Sequence, residues 1–413
     1  MRITLKRSKN YEFAIFKILW LLIILPKSLQ LVILLAMLFS IIYRTKKIIK
    51  TNPYIKLGLI IQAIAVANQI LIKGFDASRI AASINTILIW LIALEFYSIA
   101  KSKKYSYEDY KELNRIIVFD LVVFCFVFFA SLVYKNPKIL HFLGREISLR
   151  RVDFMSGSTG TRFVGLMETP LGPSHLFLIL IPLVIALRSI NVNTHALVPI
   201  VFISFAAVIS SNSRIGMLAC AISFACFIVF LLNKKAVKRS YIVLTIITFI
   251  LIAIFFAIAN YNKIVNEFIQ FFTSREGSNE ARFQIYIESL KLVQNQTYLT
   301  PFIGIGIKYM YNDFIPLGSH STYIGLLYKV GIVGTFFFAI GLIKMGKALY
   351  KNCKNSNFGI YIFIPFICYL IFLIFADIDA MDWEIVLLFT SWGILTSFRY
   401  NCQKGSRNKS VSL

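Results

Sequence analysis

The stretch His320-Ser-Thr-Tyr-Ile-Gly-Leu-Leu-Tyr-Lys329-Val-Gly331-Ile-Val-Gly334-Thr-Phe-Phe-Phe-Ala-Ile-Gly-Leu-Ile343 carries a single charge, Lys329, from Thr322 onward. A run of about 20 largely apolar residues is the length that spans a bilayer as a helix. It follows a long, more polar stretch from Tyr261 to Ser319. On a continuous helix turning ~100° per residue, Gly331 and Gly334 return to within about 40° of His320. The expectation is one helix face with an imidazole at its top, at the membrane surface, and two glycines three to four turns below.

Working outward, similar runs recur along all 413 residues, of which 58% are hydrophobic, and the mean hydropathy is +0.74. Soluble domains average ~45–50% apolar. The chain therefore reads as one integral membrane domain, 1–413, of all-α polytopic class. Twelve spans are expected, at 12–25, 29–43, 55–72, 83–100, 116–134, 176–190, 196–211, 215–232, 241–260, 322–343, 360–378 and 384–398. The basic N-terminus, Met1 to Asn10, leads into the first span without a small-residue cleavage site and reads as a signal anchor.

The net charge of +25 is scattered among loops. That sets aside a nucleic-acid partner, which would need one basic patch. Dense basic loops at Arg44 to Lys47, Lys101 to Lys104, Lys234 to Arg239 and Lys344 to Lys354 alternate with sparsely charged turns. The positive-inside rule then puts these loops, both termini and the tail 399–413 in the cytoplasm, against anionic lipid. Two long segments fall outside, 135–175 and 261–321, and long ordered loops tend to be functional. None of the six cysteines lies in them, so no disulfide is expected there.

The outer side carries Arg162 in Thr161-Arg162-Phe-Val-Gly165, Arg214 opening a span as Arg214-Ile-Gly-Met-Leu218, Arg275 and Arg282 seven residues apart, and His320. Guanidinium stays charged and offers a planar fork of donors to oxyanions. Several of them around one pocket would bind a diphosphate and stabilise it as a leaving group. Each has a plainer reading. Arg162 is equally an ordinary loop charge, and Arg275 and Arg282 equally partners of Glu276, Glu280 or Glu288 on a solvated helix. Arg214 at a helix N-terminus opposes the macrodipole, which favours a specific role. Asp377, Asp379 and Asp382 read as a solvated turn, and His141, His175 and His195 as structural. Lys17 and Lys329, inside spans, either snorkel or face a cavity. No metal site is expected, since the histidines and cysteines lack ligand spacing. Gly304-Ile-Gly306 lacks the spacing of a dinucleotide site.

Taken together these residues resemble the O-antigen ligase / O-antigen polymerase superfamily. His320-Ser321, nine residues, Gly331, two residues and Gly334 is similar to that superfamily's His-[Asn/Ser/Gln]-x9-Gly-x2-[Gly/Thr/Tyr] motif. Arg214 to Leu218 resembles its Arg-x3-Leu motif, and Pro301-Phe-Ile-Gly304-Ile-Gly306 its Pro-x-x-Gly-x-Gly turn. Lys329 in the spacer and Tyr286, where a Trp is the usual aromatic, depart from the pattern. The resemblance covers roughly 155–345.

It implies a GT-C-like, cofactor-free, metal-independent and inverting glycosyltransferase in the bacterial cytoplasmic (inner) membrane. The substrate would be an undecaprenyl-diphosphate-linked oligosaccharide, with flippase and chain-length regulator proteins as candidate partners. In that reading His320 and Arg214 are catalytic, and Arg162, Arg275 and Arg282 bind substrate. The Lys-, Ile- and Asn-rich composition points to a low-GC source, where a lipid A core acceptor is often lacking. That favours a capsule, exopolysaccharide or O-antigen polymerase over a ligase. The reading from another class is a lipid-linked oligosaccharide transporter or flippase, whose binding charges would lie near the midplane.

Overall fold

The computed structural model describes residues 10–45, 51–134, 140–142, 145–152, 161–167, 169–190, 192, 197–233, 276–311, 315–354, 356–378 and 381–398. Short helical pieces Ala14–Lys17 (α1) and Leu19–Ile24 (α2) precede Lys27–Thr45 (α3), Pro53–Lys73 (α4), Ala77–Ser102 (α5) and Tyr107–Val133 (α6). Then come Gly172–Ser189 (α7), Leu197–Ser210 (α8) and Arg214–Asn233 (α9). After the undescribed stretch follow Glu276–Asn295 (α10), Thr300–Ile303 (α11), Thr322–Lys354 (α12), Gly359–Phe372 (α13) and Asp382–Ser397 (α14).

The chain is an all-α polytopic membrane protein. Among the described residues α4, α5, α6, α7, α9 and α12 are long and apolar enough to cross a bilayer, and α8, α13 and much of α3 are shorter apolar helices. The expected spans coincide with helices, save two. The span at 12–25 is broken at Ile18 (φ −108, ψ 12) and stops at Leu25 before Pro26. The span at 241–260 lies outside the described residues. Large apolar side chains such as Phe39, Ile60, Leu71, Phe126 and Phe336 are exposed on outward faces, as lipid-facing surfaces require.

Helix ends follow from local chemistry. The Asn52 side chain accepts from the Tyr54 N–H (3.1 Å), Pro53 opens α4, and Gly74 (φ 82) ends it. Asp76 caps α5, and Ser106 with Asp109 forms a reciprocal capping box on α6. Two helices, α7 and α14, are buried almost all round, as expected of elements apolar on every face. Helix α14 lies along α5, α12 along α4, and α13 along α7 and α9. Gly393 brings α14 against the Tyr97 carbonyl of α5, and Trp90 sits edge-on to both Phe338 and Phe389.

The termini of these helices sort into two ends. At one, Asn10 bonds Asp109 (2.6 Å), Lys17 bonds Glu112 (2.7 Å) and Lys344 bonds Tyr54 (2.8 Å). At the other, the Arg145 guanidinium donates to the Leu25 carbonyl (2.6 Å) and Lys308 pairs with Asp377 (3.1 Å). Lys17 is thus an interfacial residue, half exposed and paired.

The segment 135–175 is not plain loop. It holds two antiparallel two-stranded pairs, Leu140–Phe142 (β1) with Arg145–Ile147 (β2), and Arg150–Val152 (β3) with Thr161–Phe163 (β4). Later Met310–Tyr311 (β5) pairs with Ile315–Pro316 (β6).

The helix after His320 differs from expectation. It is interrupted at Gly331, whose φ of 61 and ψ of −169 are not helical. The break releases carbonyls from the helical ladder. Those of Tyr328 and Lys329 accept instead from the N–H groups of Ile305 (2.8 Å) and Gly306 (3.0 Å). A Cβ on Gly304 would lie 2.5 Å from the Gly331 nitrogen, so the two motif glycines exist to let two backbones meet. Gly334, one turn on, packs towards Ile61 of α4. The expected continuous face shared by His320, Gly331 and Gly334 is therefore absent.

Candidate active site

His320 stands before α12, not on it. Its φ is 64, a left-handed conformation that costs a non-glycine residue about 1–2 kcal/mol, and one that surrounding contacts must hold. Three sets of contacts do so. The Tyr286 hydroxyl, from α10, donates to the His320 carbonyl (2.9 Å). The Ser321 hydroxyl caps α12 by accepting from the Ile324 N–H (3.3 Å). Thr322 ties the helix start to the segment after α13: its N–H and hydroxyl both donate to the Ala376 carbonyl (2.9 and 2.7 Å), and its hydroxyl accepts from Ile378 (2.9 Å). The polar residue that follows the motif histidine is thus a helix cap.

The imidazole is partly buried. Burial first, then the positive charges of Arg282 and Lys308, lower its pKa from 6.5 to about 4. At neutral pH it is uncharged, with one nitrogen able to accept a proton.

Arg282 projects from α10. Burial is the main influence lowering its pKa, and the charge of Arg162 adds to it. Arg162 lies on β4, opposite Arg151 of β3. Its charge also bears on Arg214, the first residue of α9. The tight turn Ser211-Asn212-Ser213, with Asn212 at φ 50, aims that helix end. Gly216 lets it approach Ser174 of α7. Arg162, Arg214, Arg282, His320 and Lys308 thus share one electrostatic neighbourhood, assembled from the 161–163 strand, α9, α10 and the loops before α12.

Arg275 lies outside the described residues. Of the carboxylates weighed as plain partners of Arg282, Glu288 bonds Lys291 (3.0 Å) and Gln284 (3.1 Å). Sequence reasoning missed Lys308, read Tyr286 only as a departure from pattern, and read Asp377 as solvated. Asp377 instead holds Lys308, and its charge, with burial foremost, raises the Tyr286 pKa. Nothing local marks Lys308. The one signal was its place just after the Pro-x-x-Gly-x-Gly turn.

Residues 199–339 match the family model described as O-Antigen ligase. That stretch belongs to the O-antigen ligase family. No curated protein matches the chain. The O-antigen ligase match contains Arg214, Arg282, Tyr286, Lys308, His320 and both motif glycines. It begins after Arg162 and ends before Asp377. The chain is thus a multi-pass membrane protein whose residues 199–339 are similar to O-antigen ligases.

Proposed function

We propose that this protein is a polysaccharide polymerase that joins undecaprenyl-diphosphate-linked oligosaccharide repeat units at the outer face of the bacterial inner membrane, with both termini cytoplasmic. The observation that carries the proposal is the convergence of Arg162, Arg214 and Arg282 with an uncharged His320. Like charges drawn together repel one another, and a bound diphosphate relieves that repulsion. The N-terminus of α9 adds its own positive field.

In the reaction an acceptor hydroxyl attacks the anomeric carbon of the donor sugar. The new glycosidic bond forms as the bond to the lipid diphosphate breaks, with inversion. The electron pair leaves on the diphosphate, which the arginines stabilise. His320 takes the hydroxyl proton. A pKa near 4 makes a weak base, but the anion that occupies the site offsets the fields of Arg282 and Lys308 and raises it. This chemistry needs no cofactor.

The similarity of residues 199–339 to O-antigen ligases favours a second reading, ligation to a different acceptor. Both readings are tested with purified protein and a defined undecaprenyl-diphosphate repeat unit. A ladder of products supports polymerase; a single transfer to a foreign acceptor supports ligase. His320→Ala and Arg214→Ala are expected to stay in the membrane and lose long chains, by at least about a hundredfold in rate. Wild-type chain length in both variants sinks the site assignment.

A further inference from the structure

Beside the arginine cluster, with Lys308 in its wall, a cavity of about 430 Å³ lies between α4, α5, residues 306–310, Pro316 and α12. Four cations line it: Lys27 at the start of α3, Arg79 in the first turn of α5, Lys308, and Lys329 inside α12. Carboxylates stand close to these cations: Asp76 pairs with Arg79 (3.0 Å) and Asp377 with Lys308 (3.1 Å), and Asp382 accepts from the Asn85 amide (3.5 Å). Lys329, only 3% exposed, is an ionisable residue inside a membrane span that borders this polar space, the kind of position that tends to be functional. Uncharged donors and acceptors, Gln62, Asn85 and Thr86 among them, also line the cavity.

We propose that this cavity seats an acidic sugar of the glycan, with its carboxylate or phosphate substituent held by Arg79 and Lys329 and its hydroxyls by the amide and hydroxyl side chains. The volume is in the range of small-molecule sites and far exceeds what a diphosphate fills. The cations come from four separate segments, and the neutral hydrogen-bonding groups beside them suit the hydroxyls of a sugar. Lys308 joins the two regions: it lines the cavity, and its charge reaches His320. The sugar seated here therefore lies next to the reacting hydroxyl, and the enzyme selects acidic repeat units. This rests on the reading that the arginine cluster holds the lipid diphosphate.

The test uses the full chain in lipid nanodiscs and three probes. The first is a glucuronic-acid disaccharide with its methyl ester as the neutral form. The second is a phosphate-substituted disaccharide with its unsubstituted form. The third is undecaprenyl diphosphate. Wild type is expected to bind at least one acidic sugar about tenfold more tightly than its neutral form, and the probe that shows the preference identifies the anion. Arg79→Gln, at the partly exposed rim, and Lys329→Met are expected to abolish the preference and leave undecaprenyl diphosphate binding intact. Arg79→Gln alone suffices if Lys329→Met does not fold. No preference for either anion, or a preference unchanged in Arg79→Gln, overturns the proposal. So does a loss of undecaprenyl diphosphate binding in Arg79→Gln equal to that in Arg214→Ala, which assigns the cavity to the lipid diphosphate. Full lipid-diphosphate binding by Arg214→Ala is a different result: it removes the functional reading on which the proposal rests.

Discussion

At His320 the backbone and the ring are controlled by different neighbours. The backbone is held left-handed by Tyr286 and by the Thr322 bonds, while the ring lies in the fields of Arg282 and Lys308. A histidine NMR titration of the labelled protein, which has four histidines, is expected to show His320 titrating near 4. In Arg282→Gln the value rises but stays below 6.5, because burial remains the larger cause. Added diphosphate raises it in wild type. A pKa unmoved by both changes contradicts the electrostatic account. The same shift sets a stability slope. The folded pKa lies below the ordinary value of 6.5, so the unfolded chain binds more protons between roughly pH 4 and 6.5. This contribution to stability is complete above that window and declines as pH falls through it. His320→Gln is expected to flatten that part of a Tm-versus-pH profile.

At the scale of elements, the break in α12 and the turn before β5 form one device. Gly304 (φ 80) and Gly331 (φ 61) each occupy a conformation and a space that exclude a side chain. Gly331→Ala and Gly304→Ala are each expected to destabilise the protein by more than about 2 kcal/mol, from left-handed strain plus a backbone clash. Gly346→Ala, in the same helix and with Phe366 no nearer than 3.5 Å, is expected to be neutral or stabilising by up to about 1 kcal/mol. Thermal unfolding in detergent separates the two classes, and equal Tm values for Gly331→Ala and Gly346→Ala contradict this account of the break. The motif glycines were visible in the sequence, but the helix was expected to run unbroken through Gly331. Spacing along one chain cannot reveal that a distant backbone will occupy the place of a missing Cβ.

Across the whole molecule, a buried polar chain crosses three helices. His175 of α7 bonds Tyr369 of α13 (2.6 Å) and lies 3.7 Å from Glu384 of α14. All three are nearly inaccessible. The structural reading of His175 is consistent with this place, in a bundle whose most buried helices are α7 and α14. The two-ended arrangement makes the orientation testable. Ser78→Cys and Lys104→Cys place thiols at exposed sites on opposite ends, while the described native cysteines are buried. An impermeant maleimide applied to whole cells or spheroplasts is expected to label Ser78→Cys and spare Lys104→Cys. The reverse pattern inverts the topology and removes the proposed outer-face activity.

The sequence by itself determined the membrane class, most span positions and the residues worth suspecting. Hydrophobic length, loop charge and the Arg214 and His320 motifs are all local properties, and local properties survive in one dimension. Only the tertiary structure decided which suspects meet. Arg162 and Arg282 are far apart in the chain and act on one another because a strand and a helix are brought together over the same bundle end. Lys308 and Asp377, unremarkable alone, pair across two loops beside His320. The interruption at Gly331 belongs to the same class. A helix gives up its ladder there because a second backbone supplies the hydrogen bonds, and within an apolar bilayer those groups must be satisfied by the protein itself.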